Sequence, residues 1–459
     1  MSALEIETAS FRDPSGFIFT QENEIYRAIA PSYFENFSLL INSGLYNSLL
    51  SKKLIVEHSE EKNILSEPYS EYKIIKPKRI PFISYPYEWT FGQLKDGALL
   101  TLKILRESLK HGMILKDASA YNVQFIGAQP IFIDTLSFEK YNEGSPWKAY
   151  RQFCQHFLAP LALMHYKSAE LSSLLKNYID GIPLELASKL LPRKAILNSG
   201  IATHVILHSK FQKKYSSNDS VKNPQTTLSK QKLLAMVQHL EECIESLRIK
   251  SEKSNWISYA EENSYSAEAM NMKKQIISEW LKKIKPKTVW DFGCNTGTFS
   301  MLASKHCDYV LATDSDTFCI EKLYSDLKKS NEKNILPLMM NLSNPSPAIG
   351  WANEERKNFS KRGRTDMLFA LALIHHLRIG NNVPFSLIAK YFSEQTKDLI
   401  IEFVPKDDIR VTQMMAGRST IFEDYSEENF KKEFEKYFSV NEHNSIVDSE
   451  RSLYLMSKK

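Results

Sequence analysis

Asp291, Gly293, Cys294, Asn295 and Gly297 stand within seven residues of one another, and Asp314 follows 23 residues after Asp291. The stretch Thr288–Ser300 reads as a short apolar strand ending in an acid, a glycine-rich turn and the start of an apolar-periodic helix. Gly293 and Gly297 lack a Cβ, so the backbone there can approach a ligand or take positive φ, and Asn295 is the non-glycine type that best tolerates that conformation. A second strand, Tyr309–Thr313, runs into Asp314. In a nucleoside-binding sheet that place carries the carboxylate that accepts both ribose hydroxyls. A dinucleotide fingerprint Gly-x-Gly-x-x-Gly begun at Gly293 would need glycine where Asn295 and Thr298 stand, so the pattern points away from nicotinamide cofactors.

The run Asp291-Phe292-Gly293-Cys294-Asn295-Thr296-Gly297 resembles the first motif of class I S-adenosylmethionine-dependent methyltransferases, Asp-x-Gly-x-Gly-x-Gly, with Asn295 in place of the middle glycine. The resemblance covers about residues 256–459 and implies an α/β, Rossmann-like doubly wound sheet with an antiparallel last strand, and S-adenosyl-L-methionine as cofactor. It implies that Asp314 holds the ribose and that backbone at Gly293–Gly297 approaches the amino-acid part. Asp291 would anchor that loop or, through water, the cofactor's ammonium. Asn341, after a third strand at Asn334–Met340, falls where the family faces the adenine amino group. The fourth strand, from Asp366, ends in Ile374-His375-His376-Leu377, similar to the Leu-His-His-Leu of many small-molecule methyltransferases. His375 and His376 are thus candidates for removing a proton from the acceptor, or for packing. Glu402, on a fifth strand Leu399–Val404, could orient an acceptor or be a satisfied strand-end carboxylate. The whole chain resembles a bacterial group of two-part class I methyltransferases, some labelled nodulation protein. That implies methyl transfer to an unidentified acceptor, a small molecule or glycan-type metabolite rather than nucleic acid.

A second constellation lies upstream: Lys116-Asp117, then Asn122, a hairpin, and Asp134. It resembles the catalytic loop and metal-binding aspartate of protein-kinase-like and aminoglycoside-kinase-like folds, implying ATP and Mg2+ at Asp117, Asn122 and Asp134. Leu115-Lys116 and Thr135-Leu136 replace the usual His-Arg and Phe-Gly, and no glycine-rich phosphate loop precedes them. The other reading makes Asp117 and Asn122 turn and capping residues around a buried hairpin. A bifunctional or regulatory protein whose N-terminal part binds nucleotide is therefore the alternative to a methyltransferase.

The elements that must position these residues follow from periodicity. Leu99, Leu102, Leu105 and Leu109 mark a helix from an Asp96 cap to Gly112, and Val123–Ile126 with Ile131–Ile133 mark the hairpin. Lys213–Lys232, rich in Lys, Ser, Asn and Thr, reads as a linker. Leu233, Val237, Leu240, Ile244 and Leu247 form one helical stripe beyond it, either docked on the next domain or pairing as a coiled coil. The division expected is an α+β N-terminal domain over 1–208, linker and connecting helix over 209–255, and the methyltransferase-like domain over 256–459. Trp256, Tyr259 and Tyr265 are candidates for a lid or for core. Within an insertion, Ala348–Arg364, Trp351, Glu355 and Arg356 either line an acceptor pocket or lie on a surface helix.

At 459 residues, 43% hydrophobic and 25% charged, the composition is that of a globular protein. Four of the five net positive charges fall in 209–255, whereas 256–459 has 28 basic and 28 acidic residues, so the basicity gives no argument for nucleic acid. Apolar runs are too short to span a bilayer, and the acidic start Met1–Glu7 lacks a secretory pattern, which places the chain in the cytoplasm by default. Five cysteines without a Cys-x-x-Cys pair give neither a disulfide framework nor a metal site.

Overall fold

The computed structural model describes residues 4–210, 228–249, 266–330, 332–416 and 422–459. The chain divides into two compact units: residues 1–125, 129–250 and 348–357 form the first, and 126–128, 251–347 and 358–459 the second. Most of the Lys213–Lys232 linker, with Trp256, Tyr259 and Tyr265, lies outside the described residues.

The first unit carries its own antiparallel sheet of β1 (Glu5–Ile6), β2 (Gly16–Gln21), β3 (Glu24–Ile29), β4 (His58–Glu61) and β5 (Lys73–Pro77), in the order β1-β2-β3-β5-β4. Alternation buries Phe19, Ala28 and Ile74 in one cluster and Ile29 and Ile75 in another, the latter with Tyr33, Phe37 and Leu136. Helices α1 (Phe34–Asn42) and α2 (Leu45–Ser51) follow β3, and the long α3 spans Phe91–Lys110. The expected Asp96 cap is corrected: α3 begins at Thr90, whose hydroxyl accepts from Gln93 N while Gln93 Oε1 accepts from Thr90 N. This reciprocal capping box, with Phe91 and Leu94 buried, carries the stripe a turn and a half upstream. Beyond α3, β6 (Met113–Leu115) pairs with β9 (Phe138–Lys140), and β7 (Val123–Ile126) with β8 (Gln129–Phe132). Helix α4 (Ala159–Tyr166) is buried along Ala159–Met164. The stripe beyond the linker forms α5 (Lys230–Ser246), which belongs to the first unit and docks on its α3. Arg106 pairs with Glu241, and Lys95 Nζ donates to the carbonyls of Glu245 and Leu247, both at 2.9 Å. That contact covers the stripe, leaving no apolar seam for a coiled coil.

The second unit opens with α6 (Ala267–Ile284) and then alternates: β10 (Thr288–Phe292), α7 (Thr298–Ala303), β11 (Tyr309–Asp314), α8 (Thr317–Lys329), β12 (Ile335–Met339), β13 (Thr365–Ala370), α9 (Phe385–Gln395), β14 (Thr396–Phe403), β15 (Phe438–Ser445) and β16 (Ser452–Lys458). The sheet order is β12-β11-β10-β13-β14-β16-β15; the first five strands are parallel and β16 is antiparallel to both its neighbours. This is the sheet that the methyltransferase resemblance implies. Strands buried on both faces need near-continuous apolar runs, which Val289–Phe292, Val310–Ala312 and Met367–Ala370 supply. The chain reverses direction across the sheet between β10 and β13, leaving a crevice at their carboxyl ends. Among the described residues no helix is long and apolar enough to cross a membrane.

Candidate active site

The crevice holds a cavity of about 380 Å3 lined by Asp291, Gly293, Cys294, Asn295, Asp314 and Asn341, together with Lys273, His376 and Arg451. The turn after β10 is left-handed at Gly293 (φ 73°), Asn295 (φ 51°) and Gly297 (φ 84°). A Cβ on Gly297 would fall 2.5 Å from Leu323 Cδ1, so both conformation and space require glycine there. Gly297→Val is expected to cost roughly 2 kcal/mol or more from the strained φ and the clash, seen as a lower melting temperature of the second unit.

Asp314 ends β11 with both carboxylate oxygens on backbone donors: Oδ2 accepts from Asn295 N at 2.8 Å and Oδ1 from Asp316 N at 2.9 Å. The carboxylate thereby fixes the glycine turn to the end of the second strand. Each oxygen retains a lone-pair direction for a further donor. Burial raises the Asp314 pKa against these hydrogen bonds. Asp291 is almost wholly buried, and its Oδ2 accepts from Ser300 Oγ at 2.6 Å, tying β10 to α7. Burial, with the Asp314 charge adding, pushes its pKa up to about 6 against the Ser300 hydrogen bond. Because the folded chain holds this proton more tightly than the unfolded one, the stabilising contribution is complete below about pH 4 and lost as pH rises past about 6. Asp291→Asn is expected to remove roughly 3 kcal/mol of that pH dependence, read by thermal unfolding from pH 4 to pH 8. The Cys294 thiol is pushed well up by burial and by the two aspartates, so Cys294 offers its backbone rather than a thiolate. Asn341 is exposed at the rim, where its Oδ1 accepts from Ser343 N and Oγ.

The two histidines part company. The fourth strand stops at Ala370, short of the expected end at Ile374–Leu377; Ala372 turns left-handed (φ 50°), and the histidines sit on the helical turn beyond it. His376 lines the cavity, its pKa lowered to about 4 by burial and then by Arg451. His375 is completely buried, packed ring to ring on His376 at 4.1 Å, and neither of its ring nitrogens has a hydrogen-bond partner among the described residues. His375 therefore does not reach the cavity.

Sequence reasoning missed Lys273 and Arg451. Glu402 is fully buried behind the cavity wall; its Oε2 lies 2.6 Å from Lys273 Nζ and its Oε1 3.7 Å from Arg451 Nη1. Arg451 is held in turn by Asp408 at 2.7 Å. A signal for Lys273 was present: it stands four residues after Ala269 and three before Ile276 on the buried stripe of α6, where a surface lysine does not belong.

In the first unit the structure brings Asp117, Asn122 and Asp134 together, the negative charge of Asp134 adding to burial in raising the Asp117 pKa. Asn122 Nδ2 donates to Ser137 Oγ, Ser137 Oγ to Asp134, and Asp117 Oδ1 accepts from Ser119 N at 2.8 Å. Asp134 also accepts from Leu136 N and pairs with Arg27 at 2.8 Å. Arg27 is shared with Asp13, which Lys116 approaches to 3.7 Å. A guanidinium thus stands against the carboxylate that a nucleotide-bound magnesium would need, so these residues as arranged do not fit an ATP–Mg2+ site. The insertion is corrected as well. Ala348–Lys357 is part of the first unit, where the surface helix shrinks to a three-residue 3-10 turn, Trp351–Asn353, with Trp351 exposed. Glu355 is buried there against Arg12, and Arg356 lies 4.2 Å over the Tyr121 ring, so neither lines the cofactor cavity.

No protein-family model matches the chain. Solved structures similar to part of it include magnesium protoporphyrin IX methyltransferase from Synechocystis PCC 6803, 14% identical, covering 42% of this chain and 84% of that one with a TM-score of 0.30. The N-methyltransferase NodS from Bradyrhizobium japonicum WM9 is 12% identical, covering 41% of this chain and 97% of that one with a TM-score of 0.29. The nodulation protein NoeA of Rhizobium meliloti (strain 1021) is 34% identical over 456 residues, which amount to 98% of this chain and 95% of that protein. With that identity over nearly the full length of both, the chain belongs to the family of the nodulation protein NoeA.

Proposed function

We propose that the second unit transfers a methyl group from S-adenosylmethionine to a small-molecule or glycan-type acceptor. The observation that carries this reading is the convergence of the left-handed Gly293–Gly297 turn and the Asp314 carboxylate on one cavity at the carboxyl ends of parallel strands. The residues present fit the cofactor. Asp314 would receive the ribose hydroxyls, the Gly293–Gly297 backbone the amino-acid part, and Asn341 the adenine edge, with Asp291 bracing the turn through Ser300. S-adenosylmethionine supplies a methyl group already activated on a sulfonium sulfur. The chain's task is then to align an acceptor with that methyl and to accept its proton. The equal numbers of basic and acidic residues over 256–459 support a small acceptor over nucleic acid, which calls for a cationic surface. Calorimetry with S-adenosylhomocysteine tests the reading: binding is expected, and a folded protein that takes up none ends it. Labelled methyl transfer into a lysate of the source bacterium lacking this gene would then identify the acceptor.

A further inference from the structure

We propose that Lys273 is the catalytic base that takes the acceptor's proton, with Glu402 as the positioning residue behind it. This rests on the methyl-transfer reading above. Lys273 is 2% exposed, yet it lines the cavity together with Asp291, Phe299 and Arg451. Its Nζ has Glu402 Oε2 behind it at 2.6 Å and the Phe299 ring centroid at 4.7 Å. A base aimed into a cavity and oriented from behind by a buried carboxylate has the logic of a catalytic triad.

The groups facing Lys273 decide its proton affinity. Glu402 on β14 and Asp291 on β10 favour the ammonium form, as does the Phe299 ring on α7, while burial and Arg451 oppose it. His376 lines the same cavity with its own pKa lowered, which leaves it a weak base near neutral pH. Burial is the largest influence on Lys273 and moves its pKa well below the ordinary value. Glu402 moves the opposite way, to about 7, by burial against the pull of Arg451 and of the Ala372 N–H. The two groups of the pair are thus shifted towards one another, each mainly by burial. In its base form, amine and carboxylate, the single negative charge faces the Arg451 guanidinium.

In the step itself the acceptor's oxygen or nitrogen lone pair forms the bond to the methyl carbon. The electron pair of the breaking carbon–sulfur bond stays on sulfur, which becomes a neutral thioether. The acceptor's O–H or N–H proton passes to the Lys273 lone pair. Lys273 ends as an ammonium ion against the Glu402 carboxylate and returns that proton to water when product leaves.

The first test needs no acceptor. In the full chain labelled with 13C at lysine Cε, the resonance lost in Lys273→Met is followed from about pH 6 to pH 11, and it is expected to titrate well below the free-lysine value of about 10.4. Titration at or above that value overturns the inference. The second test uses methyl transfer to the lysate. Lys273→Met and Lys273→Arg should both lose about 100-fold or more in rate while binding S-adenosylhomocysteine within about threefold of the wild type. Full activity in Lys273→Arg would show that only a cation is wanted, and a matching loss of S-adenosylhomocysteine affinity would make Lys273 an anchor for the cofactor; either result overturns the inference. Should Lys273→Met fail to fold, loss of the same resonance in Lys273→Arg still assigns it and the titration decides. A wild-type chain that binds no S-adenosylhomocysteine ends the methyl-transfer reading itself, an outcome separate from all of these.

Discussion

Replacing Asp314 with alanine is expected to weaken S-adenosylhomocysteine binding by about 100-fold or more, because hydrogen bonds to a charged group are worth about 1.5–3 kcal/mol each and the ribose would lose two. A second loss lies in the free protein. The same carboxylate holds Asn295 N and Asp316 N, so without it the left-handed turn at Gly293–Gly297 loses its tie to the end of β11. The cavity would then be ordered only on binding, at further cost in affinity. Asp314→Asn keeps one oxygen acceptor for the backbone donors and should fall between alanine and wild type. Calorimetry reads the affinities and circular dichroism confirms the fold; an alanine variant binding within threefold of wild type would remove Asp314 from the site.

The glycine-turn side of the cavity was legible because its geometry is local. A glycine turn after a buried strand and an acid at the end of the next are fixed by short-range geometry, so Asp291, Gly293, Asn295, Gly297 and Asp314 could be read in order, and the cavity contains four of them. The side of the cavity around Lys273 was not legible in this way. Lys273, Glu402 and Arg451 come from α6, β14 and the turn before β16, and only pairing of β14 with β16 brings Glu402 and Arg451 near one another. Which histidine packs was hidden for a related reason. Adjacent residues on a turn face different ways, and only the structure shows that His376 faces the cavity while His375 is buried behind it. The Asp117–Asn122–Asp134 spacing did bring its residues together, but it could not reveal that Arg27, 107 positions upstream of Asp134, stands against the last of them. Membership of Ala348–Lys357 in the first unit was equally hidden, since the Arg12–Glu355 pair, in which only Glu355 is buried, joins residues 343 apart in sequence.

Glu402→Ala is expected to destabilise the second unit by about 3–5 kcal/mol, the range for leaving a buried ion-pair partner uncompensated. Lys273 and Arg451 are 2% and 1% exposed, and the substitution removes the carboxylate that lies 2.6 Å from Lys273, while Arg451 keeps Asp408 at 2.7 Å. For a unit of this size the loss corresponds to a fall of roughly 10 °C or more in melting temperature, measurable by differential scanning calorimetry. Glu402→Gln keeps the shape and an oxygen acceptor for Lys273, so it should cost less than alanine while still removing the charge. The instructive comparison is Lys273→Met with Glu402→Leu. A buried pair replaced by apolar groups of similar size is commonly neutral or stabilising, because the desolvation cost of both charges disappears. Arg451 keeps Asp408, so the double variant should melt near or above the wild type. It should nonetheless be inactive in methyl transfer while still binding S-adenosylhomocysteine through Asp314 and the glycine turn. A stable, cofactor-binding and inactive double variant would mean that the pair persists for proton transfer at a cost in stability, whereas an active one would reduce it to a structural contact.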